Sequence, residues 1–193
     1  MKHLATLTDQ ELLQQYRQGE VAAFETLINR HKQRIFSSIV LLVKDRNLAE
    51  DIFQDLFIRI IETIRNGQYR EENKFLYWAM RIGHNMCVDH FRKVKSAPVI
   101  RTADGEDIFE SLNFQSPNAE EKIVTGERHA MVNRLVNMLP EEQKEVIILR
   151  HYAGLKFKDI SKMIGCSVNT SLGRMRYGLI NLRKMIDEKQ LAV

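Results

Sequence analysis

Hydrophobic residues recur at intervals of three and four along almost the whole chain, and no segment alternates apolar and polar residues as a half-buried strand would. The clearest series is Leu48, Ile52, Leu56, Ile60 and Ile64. This spacing places the apolar side chains on one face of a helix, which must be buried against other helices. The sequence therefore predicts an all-α protein.

Local signals mark where several of these helices begin and end. Thr8-Asp9-Gln10-Glu11 has the form of a capping box, and it predicts a first helix that runs to about Arg17. Asn66-Gly67 predicts a turn after the helix that contains Leu48. A further helix is expected from about Lys74 to Lys93, and another from about Ile123 to Met138.

The helical pattern stops in residues 96–122, which contain two prolines, a glycine and several acidic residues. We expect this segment to be a flexible, acidic linker between two small helical domains, residues 1–95 and 123–193. The first segment has 15 Lys and Arg against 12 Asp and Glu, the linker 2 against 6, and the last segment 12 against 7. Two basic segments on a tether suit two surfaces that face nucleic acid.

Composition limits the class of protein further. No apolar run approaches the roughly 20 residues that a membrane span needs. The residues Met1-Lys2-His3-Leu4 do not open the apolar stretch of a signal peptide, so we expect a cytoplasmic protein without stable membrane insertion. The two cysteines, Cys87 and Cys166, are too few for a disulfide framework and are expected to be buried as small apolar residues.

Residues 157–183 carry the strongest local motif. A short amphipathic helix from Phe157 is followed by the turn Gly165-Cys166-Ser167 and by a second helix from Val168, as in a helix-turn-helix. We expect the second helix to bury Leu172, Met175 and Leu179. Its polar face would then enter a major groove of DNA and would carry Asn169, Thr170, Ser171, Gly173, Arg174 and Arg176.

This part of the chain resembles region 4 of bacterial sigma factors. The resemblance rests on Leu139-Pro140-Glu141-Glu142, on Leu149-Arg150-His151-Tyr152, and on Ser167-Val168-Asn169-Thr170. It implies that the helix-turn-helix reads the −35 promoter element. One position departs from the family, which often has a lysine where this chain has Leu172, so a phosphate contact is expected to be missing.

A second face of the Leu48–Ile64 helix is not apolar. Asp51, Gln54, Asp55 and Ile58 fall at i, i+3, i+4 and i+7 and share one stripe opposite the core. Such a stripe is usually only solvated. However, the run Ala49–Phe57 resembles sigma region 2.2, and the resemblance implies that these four residues bind a coiled coil of the polymerase.

The following helix interleaves aromatic and cationic residues, which is typical of single-stranded DNA binding. The run Trp78–Asn85, followed by Asp89-His90-Phe91-Arg92, resembles sigma regions 2.3 and 2.4, which hold the opened −10 element. Trp78 itself is expected to belong to the core. The residues predicted to contact the −10 strand are Tyr69, Arg70, Arg81, Asn85 and Arg92.

Together these motifs resemble the extracytoplasmic-function (ECF) type of sigma factor, because the region 1.1 and region 3 domain of larger sigma factors are absent. The resemblance implies binding to core RNA polymerase, to duplex −35 and single-stranded −10 DNA, and to an anti-sigma factor. We expect no enzymatic activity, small-molecule substrate, cofactor or metal, although His84, Cys87 and His90 share one helix. An autonomous helix-turn-helix regulator and a nucleic-acid-processing enzyme are the alternatives.

Overall fold

The computed structural model describes residues 2–70, 74–96 and 125–188, and within these ranges all regular secondary structure is helical. The helices are α1 (Lys2–Thr6), α2 (Asp9–Arg17), α3 (Val21–Val43), α4 (Arg46–Arg65), α5 (Phe75–Ser96), α6 (Thr125–Asn137), α7 (Glu141–Ile147), a π-helical turn (Ile148–Tyr152), α8 (Phe157–Met163) and α9 (Val168–Glu188). The predicted all-α class is confirmed. The predicted linker, apart from Ser96, lies outside the described residues.

The capping box at the start of α2 is confirmed. The Thr8 side-chain oxygen accepts a hydrogen bond from the Glu11 backbone N–H, and the Glu11 carboxylate accepts one from the Thr8 backbone N–H at 2.7 Å. Two backbone donors at the helix start, which the helix itself cannot satisfy, are thereby bonded. The helix ends at Arg17, as the sequence predicts.

Helices α2 to α5 enclose the core of the N-terminal half. The apolar residues that recur at intervals of three and four along these helices are buried, as predicted. Ile35, Ile39, Leu56 and Ile60 are each fully buried. Gly83 lets α5 lie close to its neighbours, because a Cβ at that position would meet Leu56 at 3.4 Å and Ile39 at 3.5 Å. Burial of aliphatic side chains at this density is the main source of stability for such a bundle.

The C-terminal helices pack directly against this bundle. Leu41 of α3 is 6% exposed, and it shares a hydrophobic cluster with Val136, Leu139, Ile147 and Ile148 of the C-terminal half. A polar contact accompanies it, since His84 Nε2 lies 2.7 Å from Glu145 Oε1. The two halves therefore share buried surface, which the prediction of two domains on a tether did not include.

Asp9 fixes α2 to α3 through two charged contacts. Its carboxylate oxygens lie 2.6 Å from Arg30 Nη1 and 2.7 Å from His31 Nε2. Burial alone would raise the pKa of Asp9, but the hydrogen bonds and charges of His31 and Arg30 outweigh burial and hold the pKa below its ordinary value of 3.8. The ionised carboxylate therefore stabilises the folded protein.

We predict that Asp9→Asn lowers the free energy of unfolding at pH 7 by about 1–2 kcal/mol, because charged hydrogen bonds are lost at a partly exposed site. Since the pKa of Asp9 is lowered by folding, this contribution is present above the unfolded value and is lost as the pH falls through the lowered folded value. Urea unfolding of both proteins from pH 7 down to pH 3 measures the difference. A difference that grows in acid would contradict this account.

Candidate polymerase and nucleic-acid interfaces

The four residues predicted to bind polymerase lie together on the exposed face of α4. Asp51, Gln54, Asp55 and Ile58 are all solvent-exposed, and Ile58 is 54% exposed. The apolar positions one residue away, such as Leu56, are buried, so the orientation of the helix is fixed by the core. An exposed isoleucine next to two carboxylates gives this face an apolar centre with a polar rim, which suits a protein interface.

Three of the predicted −10 residues, Arg81, Asn85 and Arg92, are exposed along α5, and Arg70 is exposed in the segment before it. Arg92 Nη2 lies 2.9 Å from Asp89 Oδ1 on the preceding turn, so this cation is partly neutralised within its own helix. Arg70 and Arg81 line one pocket, whose other cationic lining residues are Lys74 and Lys162.

Tyr69 is placed differently from the prediction. Its side chain is 5% exposed, its ring centroid lies 4.3 Å from that of Trp78, and the Phe75 ring is also in contact. Arg17 donates a hydrogen bond to the Tyr69 carbonyl oxygen at 2.8 Å. Tyr69 was expected to face an unstacked base, but apolar burial and ring contacts with Trp78 hold it inside the protein. Trp78 belongs to the same aromatic cluster.

The predicted −10 residues Arg70 and Arg81 line a pocket of about 420 Å³ together with residues of helix α8. Residues of both halves line this pocket: Gln68, Tyr69, Arg70, Lys74, Tyr77, Trp78 and Arg81 from the N-terminal half, and Asp159 and Lys162 from α8. The sequence did not place Asp159 or Lys162 beside the predicted −10 residues, because α8 reaches this pocket only through packing between the halves.

The helix-turn-helix has the predicted turn. Helix α8 ends at Met163, Gly165 adopts a φ of 69°, and the Ser167 hydroxyl oxygen accepts a hydrogen bond from the Thr170 backbone N–H at 2.9 Å. Glycine tolerates this left-handed conformation at little cost, and serine caps the next helix. Both roles were predicted from residue type alone.

The orientation of α9 differs from the prediction. Ser171 is fully buried, and its hydroxyl lies 3.1 Å from the Cys166 sulfur, whereas Leu172 and Leu179 are 45% and 50% exposed. The buried face contains small residues, and a Cβ at Gly178 would lie 2.7 Å from Ile147 Cδ1. Close approach of α9 to α7 through this small face determines which side is buried, so Ser171 cannot belong to the exposed reading face.

The other predicted −35 residues are accessible to different degrees. Asn169, Thr170 and Arg176 are exposed, and Gly173 is half-buried. Arg174 is 22% exposed, and its guanidinium lies 2.9 Å from Glu142 Oε2. Contact between Arg174 and a base or phosphate would therefore require this ion pair to break.

We predict that Gly178→Ala is less stable than Gly173→Ala by about 1–2 kcal/mol, because the first forces Ile147 aside in a packed core. The second substitution is its control. It lies on the same helix with nothing within 4 Å of the new Cβ, and it should raise stability by about 0.5–1 kcal/mol through helix propensity. Urea unfolding of both variants measures the difference, and equal stability would mean that α9 does not pack through Gly178.

His84, Cys87 and His90 do not form a metal site. In the described part of the chain, no three His, Cys, Asp or Glu side chains are grouped so that they could hold an ion. His84 contacts Glu145 of the other half. Burial raises the pKa of Cys87 to about 12, so its thiol stays protonated, as expected of a buried apolar residue. Cys166 is only half-buried.

No helix within the described ranges is both long enough and apolar enough to span a lipid bilayer.

Comparison with known proteins agrees with this geometry. The family model described as Sigma-70 region 2 matches residues 27–97, and that described as Sigma-70, region 4 matches residues 129–171. The RNA polymerase sigma-H factor of Pseudomonas aeruginosa is 28% identical over 188 residues, which cover 93% of this chain and 92% of that protein. The ECF RNA polymerase sigma-E factor of Escherichia coli K12 is 26% identical over 190 residues, 95% and 94% of the two chains.

Two solved structures show the same fold. The sigma factor RpoE of Bartonella quintana, in complex with the anti-sigma factor NepR, matches with a TM-score of 0.63 at 17% identity and covers 85% of this chain and 96% of that one. CnrH, in complex with the cytosolic domain of CnrY, matches with a TM-score of 0.65 at 20% identity and covers 93% and 97%.

The two family models together match more than half of the chain, and the matched relatives extend over nearly all of it. They favour the sigma-factor interpretation over an autonomous regulator. The chain belongs to the extracytoplasmic-function (ECF) sigma factors.

Proposed function

We propose that this protein binds core RNA polymerase, directs it to specific promoters and initiates transcription there as an alternative sigma factor. The observation that carries this proposal is the presence of both sigma regions, in the family's order, along one chain. Region 2 supplies the candidate polymerase and −10 surfaces, and region 4 supplies the candidate −35 surface. Residues 1–95 and 123–193 are the proposed functional units.

The proposed polymerase contact is the exposed face of α4. Asp51 and Asp55 would pair with cations of the polymerase, and Ile58 would lose solvent contact at the centre of the interface. Support comes from the exposure of all four residues of this face, Gln54 included, and from a rigid helix fixed by buried Leu56. A preformed helical face needs little reorganisation on binding.

The proposed −35 contact is the exposed part of α9. Asn169 and Thr170 carry short polar groups in the first turn of the helix, and Arg176 carries a guanidinium about two turns further along. Polar groups and arginines on one helix are what a recognition helix uses to read base edges. Arg174 would join them after release from Glu142. Leu172 stands exposed where a lysine is frequent in the family, and an aliphatic side chain cannot bond a phosphate.

The proposed −10 contact is formed by Arg70, Arg81, Asn85 and Arg92. Exposed cations follow a DNA backbone, and half-buried Tyr77 offers an aromatic face to a base, with stacking contributing about 1–3 kcal/mol per base. Binding energy of this kind traps opened DNA without ATP. The protein then acts as a binding and remodelling factor in the cytoplasm, without cofactor or catalysis of its own.

An anti-sigma factor is the further partner that we propose. One solved structure that matches this fold is a sigma factor in complex with an anti-sigma factor, RpoE with NepR. Such a partner would control when the surfaces described above are available to polymerase and to promoter DNA.

The proposed function is tested by run-off transcription from fragmented genomic DNA with core polymerase of the same organism. We expect discrete new start sites in the presence of the protein, preceded by two shared upstream motifs about two helical turns of DNA apart. Unchanged transcripts, together with tight sequence-specific binding of DNA by the protein alone, would contradict the proposal.

We predict that Asp51→Asn combined with Asp55→Asn weakens binding to core polymerase by about tenfold or more, since loss of about 1.4 kcal/mol corresponds to tenfold. Fluorescence anisotropy of the labelled protein, titrated with core polymerase, measures the affinity. Glu25→Gln combined with Asp187→Asn is the control, because it neutralises two carboxylates at exposed positions away from α4. Equal effects of the two pairs would show that net charge, and not this face, controls binding.

A further inference from the structure

We propose that the cavity lined by α5 and α8 is a binding site for a free nucleoside polyphosphate, such as ATP or GTP. Its volume is about 420 Å³, within the range of roughly 300–1,000 Å³ that is usual for small-molecule sites. The inference goes beyond the sigma function, because it concerns a free nucleotide and the chain alone.

One face of α5 brings aromatic rings and cations to this cavity. The residues that share the face and line the cavity are Lys74, Tyr77, Trp78 and Arg81. They follow one another at i, i+3, i+4 and i+7 from the residue that precedes the helix, so they lie on one side of it. Two adjacent rings thus have a cation on either side, which suits a planar base that carries phosphates.

The Trp78 ring is held in place before any ligand binds. Its centroid lies 4.3 Å from that of the buried Tyr69 ring and 6.0 Å from that of the buried Phe75 ring. Trp78 and Tyr77 are only half-buried, so both keep exposed surface. A ring whose rotamer is already fixed loses little conformational entropy when a base stacks on it. The aromatic wall is therefore preorganised.

The charge of the cavity favours a polyanion. The described lining contains four cations and one carboxylate, namely Arg70, Lys74, Arg81 and Lys162 against Asp159. Within the described part of the chain, no ion pair joins Arg70, Arg81 or Lys162 to a carboxylate. Phosphate oxygens are strong acceptors for guanidinium and ammonium groups. These side chains can therefore hold the phosphates of a nucleotide.

Helix α8 distinguishes this site from a surface for a DNA strand. A single strand is bound along a groove of about four nucleotides or more, whereas this cavity has the volume of a small-molecule site and α8 forms part of its wall. Asp159 of α8 supplies a carboxylate, the group that accepts hydrogen bonds from ribose hydroxyls in dinucleotide sites. Base, ribose and phosphates thus each have a chemically matching group.

Trp78 makes binding measurable in the wild-type chain, because it is the one tryptophan of the sequence and lines the cavity. We expect a saturable change in its fluorescence on titration with ATP or GTP. ATP should bind at least about fivefold more tightly than adenosine or tripolyphosphate, each of which carries only part of the ligand chemistry. The affinity of tripolyphosphate is measured by competition with ATP.

The same ligand should stabilise the chain. A nucleotide that contacts both halves binds the folded, packed protein and not the unfolded chain, so it raises the midpoint of thermal unfolding by mass action. At a free ATP concentration tenfold above the dissociation constant, we expect a rise of about 3 °C or more.

Lys162→Ala tests the site at a residue outside the proposed promoter contacts. We expect this variant to bind ATP at least about fivefold more weakly, because one ammonium group is lost. Lys158→Ala is the matched control. It removes the same charge from an exposed position of the same helix outside the cavity lining, and it should leave the affinity unchanged. Tyr77→Leu should weaken ATP binding but not tripolyphosphate binding, because only ATP carries a base.

Three results would overturn the proposal. The first is the absence of a saturable fluorescence change with ATP and GTP. The second is equal affinity for ATP and tripolyphosphate, which would mark a general polyanion surface without base recognition. The third is an equal loss of affinity in the two lysine variants. Run-off transcription tests the sigma function separately, so its failure would leave nucleotide binding by the chain alone unaffected, and the reverse also holds.

Discussion

The packing of α3 against the C-terminal helices is the contact on which the arrangement of both halves depends. Helix α3 contributes Ile35 and Ile39 to the larger hydrophobic cluster, which also contains Leu149 and Ile160 of the C-terminal half. Further along, it contributes Leu41 to the smaller cluster with Ile147 and Ile148. One rigid helix thus belongs to two hydrophobic clusters. This shared element sets the position of the helix-turn-helix relative to α5, and it places α8 beside the predicted −10 residues Arg70 and Arg81.

The packing between the two halves also explains why the proposed binding surfaces are unequally exposed. The α4 face lies away from the C-terminal half, and Ile58 remains exposed. Arg81 lies in a pocket also lined by Asp159 and Lys162, and Arg174 is paired with Glu142. Each proposed DNA surface therefore has a carboxylate of the same chain in its surroundings. On the proposed roles, promoter DNA would have to release Arg174 from Glu142, whereas polymerase would meet the exposed face of α4.

Local signals in the sequence predicted much of the fold. Hydrogen bonds between near neighbours define the capping box at Thr8 and the Ser167 cap, and the Gly165 turn needs only a residue that tolerates positive φ. The orientation of α4 was also predictable, because the face with Ile52, Leu56 and Ile60 is its clear choice for burial. Binding of polymerase by the opposite face, which carries Asp51 and Asp55, remains a prediction.

Other features depended on tertiary packing. Helix α9 has two possible buried stripes, and close approach through Gly178 selected the small residues over Leu172 and Leu179. Tyr69 is buried by contact with the Trp78 ring, and the sequence before α5 gives no local signal for that contact. The contact between the halves joins residues about 100 positions apart, such as Lys44 and Glu141, and no local pattern reveals it.

The central claim is that the two halves form one cooperative body in the free protein. Differential scanning calorimetry of the full chain tests it most directly. A shared core predicts a single transition whose calorimetric and van't Hoff enthalpies agree. Two separate transitions, or a van't Hoff enthalpy well below the calorimetric value, would contradict the account, because the halves would then unfold as independent domains.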